Sequence, residues 1–385
     1  MKGVNVFQTT RRIIFGTGSI DRLPEELGRL GAEKVAIITD PGIEKSGILA
    51  DVEERLKAAG LKIEVFKDVE PDPRYEIVEK AADQIRQSGA DSIVGIGGGS
   101  PLDIAKVASV SVNNDQPVSS FFGIDMVPAR GLKTILVPTT AGTGSEVTPI
   151  AILSDENEKL KKGIVSPYLF PDACILDPEL TVGLPPQITA ATGMDALIHA
   201  VEAYTSRNAS SFTDIFAEKA MRLTYGNLRK AYADGENIEA RSSMLEGSLL
   251  AGMAFANAGV TAVHAFAYPI GAQFHIPHGM ANSIMLVPVM KFNLLGNMEK
   301  FAKMAGLFGE NTEGLSTRDA AEEALAALEY LTADLNIPGS LSDFGVKKEN
   351  ISELAEGVMK VTRLLANNPR KLTLKDAEEI YESVL

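Results

Sequence analysis

Residues 92–106 read SIVGIGGGSPLDIAK. A β-branched apolar run is followed by three consecutive glycines at 97–99, then by Ser-Pro and the start of a helical pattern. The run 92–97 predicts a buried strand. Ser100 suits a helix N-cap and Pro101 a first helical turn. A plain strand-to-helix turn does not need three glycines. Glycine lets the backbone approach a pyrophosphate closely, and a helix N-terminus offers unpaired N–H groups to an anion. Gly97, Gly98, Gly99 and Ser100 are therefore read as a phosphate-binding loop, although the run is not the G-x-G-x-x-G pattern of dinucleotide enzymes.

Outward from this unit the same rhythm repeats. Runs 35–40 (VAIITD), 62–66 (KIEVF) and 134–138 (TILVP) predict further buried strands, and 47–59 and 74–88 carry apolar residues at helical spacing. Such alternation predicts an α/β domain with a mostly parallel sheet covered by helices. Beyond Pro185 the β-branched runs stop. Ala-, Leu- and Met-rich stretches at about 187–206, 211–232, 236–257, 281–296, 316–335 and 374–384 predict an all-helical second half. The segment GLPP at 183–186 marks the boundary, since prolines end one element and start the next. The expected domains are 1–184, of α/β type, and 185–385, all-helical. A site is expected in the cleft between them.

A second loop, PTTAGTGSEVT at 138–148, follows the run TILVP and holds four threonines, one serine and two glycines. Hydroxyls and N–H groups at the end of a parallel strand suit phosphate, ribose and carboxamide recognition. Residues 15–19 (FGTGS) are also glycine-rich, but they read as a hairpin or strand turn. Asp40 ends the first strand of the βα pattern. A carboxylate there accepts from ribose hydroxyls and repels a 2′-phosphate, favouring NAD over NADP. Ahead of Pro41-Gly42 it equally suits an N-cap, and the sequence leaves both roles open.

Composition narrows the partners. Hydrophobic residues make up 45% and charged residues 23%, an ordinary balance for a soluble globular protein, with no apolar run near the roughly 20 residues that span a bilayer. The formal charge of −14 argues against nucleic acid. The lone cysteine, Cys174, excludes an intrachain disulfide, and with no secretion-signal pattern at the N-terminus a cytoplasmic location is expected. There are only four histidines: His199, His264, His275 and His278, all in the helical half. Asp195 and His199 are spaced i, i+4, so both project from one helix face. One carboxylate with three imidazoles is a plausible site for a first-row divalent ion. Spacing alone leaves hydrogen-bonded histidines equally open.

The segments GGGSPLDIAK (97–106), VPTTAGTGSEVT (137–148), ATGMDALIHAVEAY (191–204) and HIPHGMAN (275–282) together resemble the iron-containing, or group III, alcohol dehydrogenase family, in its order and spacing over essentially the whole chain. The resemblance implies an N-terminal dinucleotide-binding α/β domain and a helical metal-binding domain. It implies a metal-dependent alcohol dehydrogenase that transfers hydride between an alcohol or aldehyde and NAD(H). No catalytic side chain is implied beyond the metal site. The implied metal ligands are Asp195, His199, His264 and His278. The implied cofactor residues are Asp40, Gly97, Gly98, Gly99, Ser100, Asp103, Thr139, Thr140, Thr143 and Lys161, with Asp103 near the nicotinamide ribose. Fe(II) is the expected ion, in a ligand set that also accepts zinc, nickel or manganese. The expected partners are a small alcohol or aldehyde and a second copy in a homodimer.

Where many members carry a further histidine, four residues after the third ligand, this chain has Tyr268, so a histidine proton relay is not implied. His275 falls at a variable position. Glycerol-dehydrogenase-like, dehydroquinate-synthase-like and maleylacetate-reductase-like enzymes share the scaffold but differ in their metal ligands, which disfavours them. A non-catalytic nucleotide sensor would not need these ligands.

Overall fold

The computed structural model describes residues 4–156 and 160–385. The chain divides into two compact units, one of residues 9–184 and one of residues 185–385 joined by the N-terminal segment. Residues 4–8 belong with the helical unit for local reasons. Gln8 exchanges two backbone hydrogen bonds with the Asn257 amide, at 2.8 and 2.9 Å, and Phe7 stacks on Phe216.

The α/β unit contains β1 (Ile13–Phe15), α1 (Leu23–Leu30), β2 (Lys34–Ile38), α2 (Pro41–Ser46), α3 (Ile48–Ala58), β3 (Lys62–Phe66), α4 (Tyr75–Ser88), β4 (Ser92–Gly97) and α5 (Gly99–Val112). The strands β5 (Gly123–Ile124), β6 (Lys133–Pro138), β7 (Ile150–Asp155), β8 (Leu160–Val165) and β9 (Ala173–Leu176) complete it. Six strands form a parallel sheet in the order β1-β9-β6-β4-β2-β3. Its side chains alternate between two cores. Ala36, Ile38, Ile93 and Leu136 face the core that holds α4 and α5 residues, while Val35, Ile37, Val94, Ile96, Ile135 and Val137 face the one holding α1 and α3 residues. Both faces are covered, which is why these strands read as unbroken apolar runs.

The chain runs from β2 outward to β3, then returns to β4 on the other side of β2. The carboxyl ends of β2 and β4 therefore flank a reversal in strand order, the place where open α/β sheets bind ligands. Residues 15–19 form the turn from β1 into a short 3-10 helix, so the strand-turn reading holds and the hairpin alternative does not. The antiparallel β7–β8 pair, with β5, makes a separate three-stranded sheet that the sequence reading did not foresee.

The second unit is helical, with no strand among its described residues. It comprises α6 (Pro186–Thr205), α7 (Ser211–Ala233), α8 (Ile238–Ala258), α9 (Ala262–Phe274), α10 (His278–Asn293), α11 (Met298–Phe308), α12 (Thr317–Asp334), α13 (Ile351–Lys360), α14 (Thr362–Leu365) and α15 (Leu374–Glu382). Helix α6 is buried almost all round, and its only charged residues are Asp195 and Glu202. Two glycines bring neighbours close to it. A Cβ on Gly193 would lie 2.3 Å from Leu228 Cδ1, and one on Gly279 would lie 2.2 Å from the Ala191 carbonyl oxygen. Among the described residues no single helix is long and apolar enough to cross a membrane; α8 and α9 reach that composition only as a pair bent by 102°.

Candidate metal centre and dinucleotide loops

Asp195 and His199 project from the middle of α6, His264 from the first turn of α9, and His278 from the first residue of α10. Asp195, His199 and His264 are 3%, 5% and 2% exposed, a burial that an acid and two imidazoles tolerate only with polar partners. One ligand atom from each of these three lies within 4.8 Å of the others. Asp195 Oδ1 is 3.7 Å from His264 Nε2 and 3.7 Å from His278 Nε2, and Asp195 Oδ2 is 3.9 Å from His199 Nδ1. The rings of His199 and His264 stack at 4.7 Å, and Phe255 stacks on the other ring of this pair, His199, at 4.3 Å. Burial works against the Asp195 carboxylate, but the three histidines and the Asn282 amide hold its pKa below the ordinary aspartate value.

Two residues that the sequence reading missed organise this cluster. Glu202 is fully buried. Its Oε1 accepts from Thr261 N at 3.0 Å, Thr261 Oγ1 at 2.6 Å and Val263 N at 2.8 Å, so a carboxylate from α6 caps the start of α9. Its Oε2 accepts a short hydrogen bond from His264 Nδ1. That bond fixes the ring orientation and leaves Nε2 directed at Asp195, the usual arrangement behind a metal-bound histidine. Burial disfavours the His264 imidazolium, yet Glu202 raises its pKa above the ordinary histidine value. The signal was present: Asp195, His199 and Glu202 are spaced i, i+4, i+7 along one stripe of an otherwise uncharged helix. The second residue, Asn282, donates from Nδ2 to Asp195 Oδ1 at 2.8 Å.

The donor chemistry fits a divalent first-row ion. One carboxylate and imidazole nitrogens converge at buried positions, and a carboxylate behind one ring sets its tautomer. His275 stands apart. It is exposed and ends α9 in the left-handed conformation at φ 54°, a backbone role.

In the α/β unit the two glycine- and threonine-rich loops are neighbours, because β4 and β6 pair in register from Ser92↔Lys133 to Gly97↔Pro138. Thr139 N donates to the Gly97 carbonyl at 2.9 Å. Gly97 has φ +145°, a conformation side chains resist, and a Cβ on Gly99 would lie 2.7 Å from Thr143 Cγ2. Gly98 has φ −74° and serves as N-cap of α5. No side chain caps α5, so its first amides are left for another acceptor. Thr140 lies within reach of Gly98 across the gap, Thr139 is buried, and Ser100 sits in the first turn of α5. The N-cap of α5 is thus Gly98, and Ser100 already lies inside the helix.

Asp40 takes the N-cap role, and its second oxygen faces the first loop. Its Oδ1 accepts from Gly42 N and Ile43 N at 2.7 and 3.1 Å, capping α2, while its Oδ2 lies beside Gly97. Asp103 is more committed. Oδ1 accepts from Ser145 Oγ at 2.5 Å and lies 3.1 Å from Lys106 Nζ, and Oδ2 accepts from Ile152 N at 2.8 Å. This carboxylate ties α5 to the second loop and to β7. Lys161 pairs with Asp72 at 2.6 Å on β8, and its neighbour Lys162 pairs with Asp155 at 2.8 Å.

Residues 10–178 match the model of iron-containing alcohol dehydrogenase, and residues 189–385 match that of the Fe-containing alcohol dehydrogenase family, C-terminal. The chain is 42% identical to long-chain-alcohol dehydrogenase 1 of Geobacillus thermodenitrificans, over 97% of this chain and 96% of that one. It is 41% identical to the sulfoacetaldehyde reductase of Bilophila wadsworthia, over 95% of each. Among solved structures, a 1,3-propanediol oxidoreductase superposes with a TM-score of 0.97 at 40% identity, covering 100% of both chains. The sulfoacetaldehyde reductase of Bifidobacterium kashiwanohense, solved in complex with NAD+, superposes with a TM-score of 0.89 at 30% identity over 99% of each chain. The chain belongs to the iron-containing alcohol dehydrogenase family and is an oxidoreductase that acts on CH–OH groups.

Proposed function

We propose that this chain is an NAD-dependent alcohol dehydrogenase that interconverts a small alcohol and its aldehyde with Fe(II) held by Asp195, His199, His264 and His278. The observation that carries the reading is the convergence of Asp195, His199 and His264 on one buried point, with Glu202 locking His264 from behind. When bound there, the ion supplies the Lewis acidity that lowers the pKa of the substrate hydroxyl, and NAD supplies the hydride acceptor. Asp195 contributes the one negative charge among the ligands and so favours a dication. Glu202 keeps the His264 lone pair on Nε2. Burial of these side chains excludes water from their surroundings, which strengthens every electrostatic contact made there.

On the cofactor side, Gly97, Gly98, Gly99 and Ser100 offer backbone amides at the open end of α5 to the pyrophosphate. Thr139, Thr140 and Thr143 offer hydroxyls beside them. Asp103 is proposed to act near the nicotinamide ribose through the loop that it anchors, and Lys161 near the adenosine ribose. Asp40 Oδ2, facing Gly97, supports NAD over NADP by repelling a 2′-phosphate. A homodimer working in the cytoplasm completes the proposal. Its support is the exposed apolar side chains of Val6, Phe212 and Ile215 and the absence of any disulfide-forming cysteine pair.

The relatives named above act on long-chain alcohols, 1,3-propanediol and sulfoacetaldehyde, so a panel of short and long aldehydes is the proper test. Protein reconstituted anaerobically with Fe(II) should oxidise NADH, followed at 340 nm, with at least one aldehyde, and should use NADPH poorly. Absence of turnover across the panel with a fully loaded metal site, or a preference for NADPH, contradicts the reading.

A further inference from the structure

Asn282 follows His278 by one turn of α10 and is fully buried. Its Nδ2 lies 2.8 Å from Asp195 Oδ1, 3.2 Å from His264 Nε2 and 3.1 Å from His278 Nε2. An amide nitrogen has two hydrogens, and this one faces a carboxylate oxygen and two imidazole nitrogens. At the other end Oδ1 is buried and has no hydrogen-bond partner. Turning the amide over would set Oδ1 against the Asp195 carboxylate, oxygen on oxygen, and would take the NH2 away from both imidazole Nε2 atoms. The ligand atoms therefore dictate the orientation. The fold tolerates an unsatisfied buried carbonyl in order to aim a partially positive NH2 at the atoms proposed to hold the ion.

We propose that Asn282 is a placeholder for the cation. Its amide hydrogens hold Asp195, His264 and His278 on a common point in the metal-free chain, and they must leave the imidazoles before an ion binds. This rests on the assignment of those residues as metal ligands. The competition follows from lone-pair count. A neutral imidazole Nε2 has a single lone pair, which accepts from an N–H or coordinates an ion but does not do both. The Asp195 carboxylate has four acceptor positions and can keep Asn282 while coordinating. Loading thus costs the amide its two imidazole partners and leaves it one. Asn282 stabilises the empty site more than the filled one, so it weakens metal affinity while keeping the ligands ordered and the site reversibly loadable. A residue that merely supports the filled site would act in the opposite direction.

The test is titration of metal-free protein with Co(II), followed by its d–d absorption, together with melting of the empty and loaded forms. It is run at about pH 8.5, well above the ordinary histidine pKa. Asn282→Leu, of similar volume without a donor, is expected to bind Co(II) about tenfold more tightly than the parent. Its empty form should melt lower than the parent's, and its loaded form should recover most of that loss. Asn282→Ala should repeat the pattern if the leucine variant folds poorly. His264→Ala is run in parallel and should lose Co(II) binding. Unchanged or weaker Co(II) affinity in both Asn282 variants, with His264→Ala behaving as expected, overturns the placeholder and leaves the ligand assignment standing. Parent-like Co(II) binding by His264→Ala overturns the assignment itself and the placeholder with it.

Discussion

Glu202 accepts from Thr261 and Val263 with one oxygen and from His264 with the other, so one side chain both ends a turn of backbone and sets a tautomer. Glu202→Gln keeps the shape and an acceptor for the backbone, but it presents an NH2 to His264 Nδ1. The ring must then carry its proton on Nε2, where the ion should bind. Metal affinity is expected to fall by roughly 10–100-fold, read by metal titration on folded protein; an unchanged affinity would mean that Glu202 serves only to cap α9. A different buried acid contributes a pH dependence of stability. Glu146, in the second loop, has an unpartnered Oε1, and burial raises its pKa from 4.5 to about 7, against the pull of Lys106. Below 4.5 folded and unfolded chains both carry the proton, so Glu146 costs nothing. As pH rises to about 7 the unfolded chain ionises first and the folded state loses stability, after which the loss is constant. Glu146→Gln should therefore leave Tm unchanged near pH 4.5 and stabilise the protein at pH 8, by up to about 3 kcal/mol. Equal Tm differences at both pH values would remove Glu146 as the source. At the centre, scarcity made the four histidines conspicuous and spacing tied Asp195 to His199, but the choice of Asp195, His199, His264 and His278 came from the resemblance. Glu202 stayed hidden because a carboxylate on an Ala-rich helix looks like any solvated charge until its burial is known.

Helix α10 carries His278 to the neighbourhood of Asp195 only because Gly279 lets it lie against the backbone of α6 at Ala191. Backbone cannot yield as a side chain does, so Gly279→Ala should force the two helices apart at a cost of about 1–3 kcal/mol. It should also weaken metal binding by drawing His278 from the cluster. Metal stoichiometry and affinity of the folded variant check this, and parent-like affinity would show that His278 is not held by the contact. In the other unit, Gly99→Val would drive a side chain into Thr143, which a Cβ already approaches to 2.7 Å. The two loops should part and NADH affinity should drop at least tenfold, with metal content unchanged, since the substitution lies in the other unit; fluorescence titration with NADH reads it, and undiminished affinity would refute the loop assignment. At this scale the four strands and two helices picked from apolar periodicity are all present, with ends shifted by a residue or two. Helix α9 went unseen because its Pro269 and the residues HAFAYP broke the helical pattern. The β7–β8 pair went unseen because its lysines and serines blur the alternation of a strand.

Over the whole molecule, the change from β-branched runs to Ala- and Leu-rich stretches located the division of the chain after residue 184, and the structure splits at that point. The assignment of residues 4–8 to the helical unit was beyond the sequence, since it depends on one asparagine on α8 and one phenylalanine on α7. The same limit applies to the centre itself. Helix α6 and the consecutive pair α9 and α10, far apart in sequence, bring their side chains together, and only Asp195 and His199 announce this by local spacing. The account stands on that cluster being a metal site that NAD-linked alcohol oxidation requires. The measurement that tests it most directly is metal content, NADH affinity and turnover of His264→Ala after anaerobic Fe(II) reconstitution, beside His275→Ala from the exposed end of the same helix. The account predicts that His264→Ala loses most of its iron and its turnover while keeping NADH affinity, and that His275→Ala keeps all three. A folded His264→Ala protein holding a full equivalent of iron and turning over like the parent would contradict it.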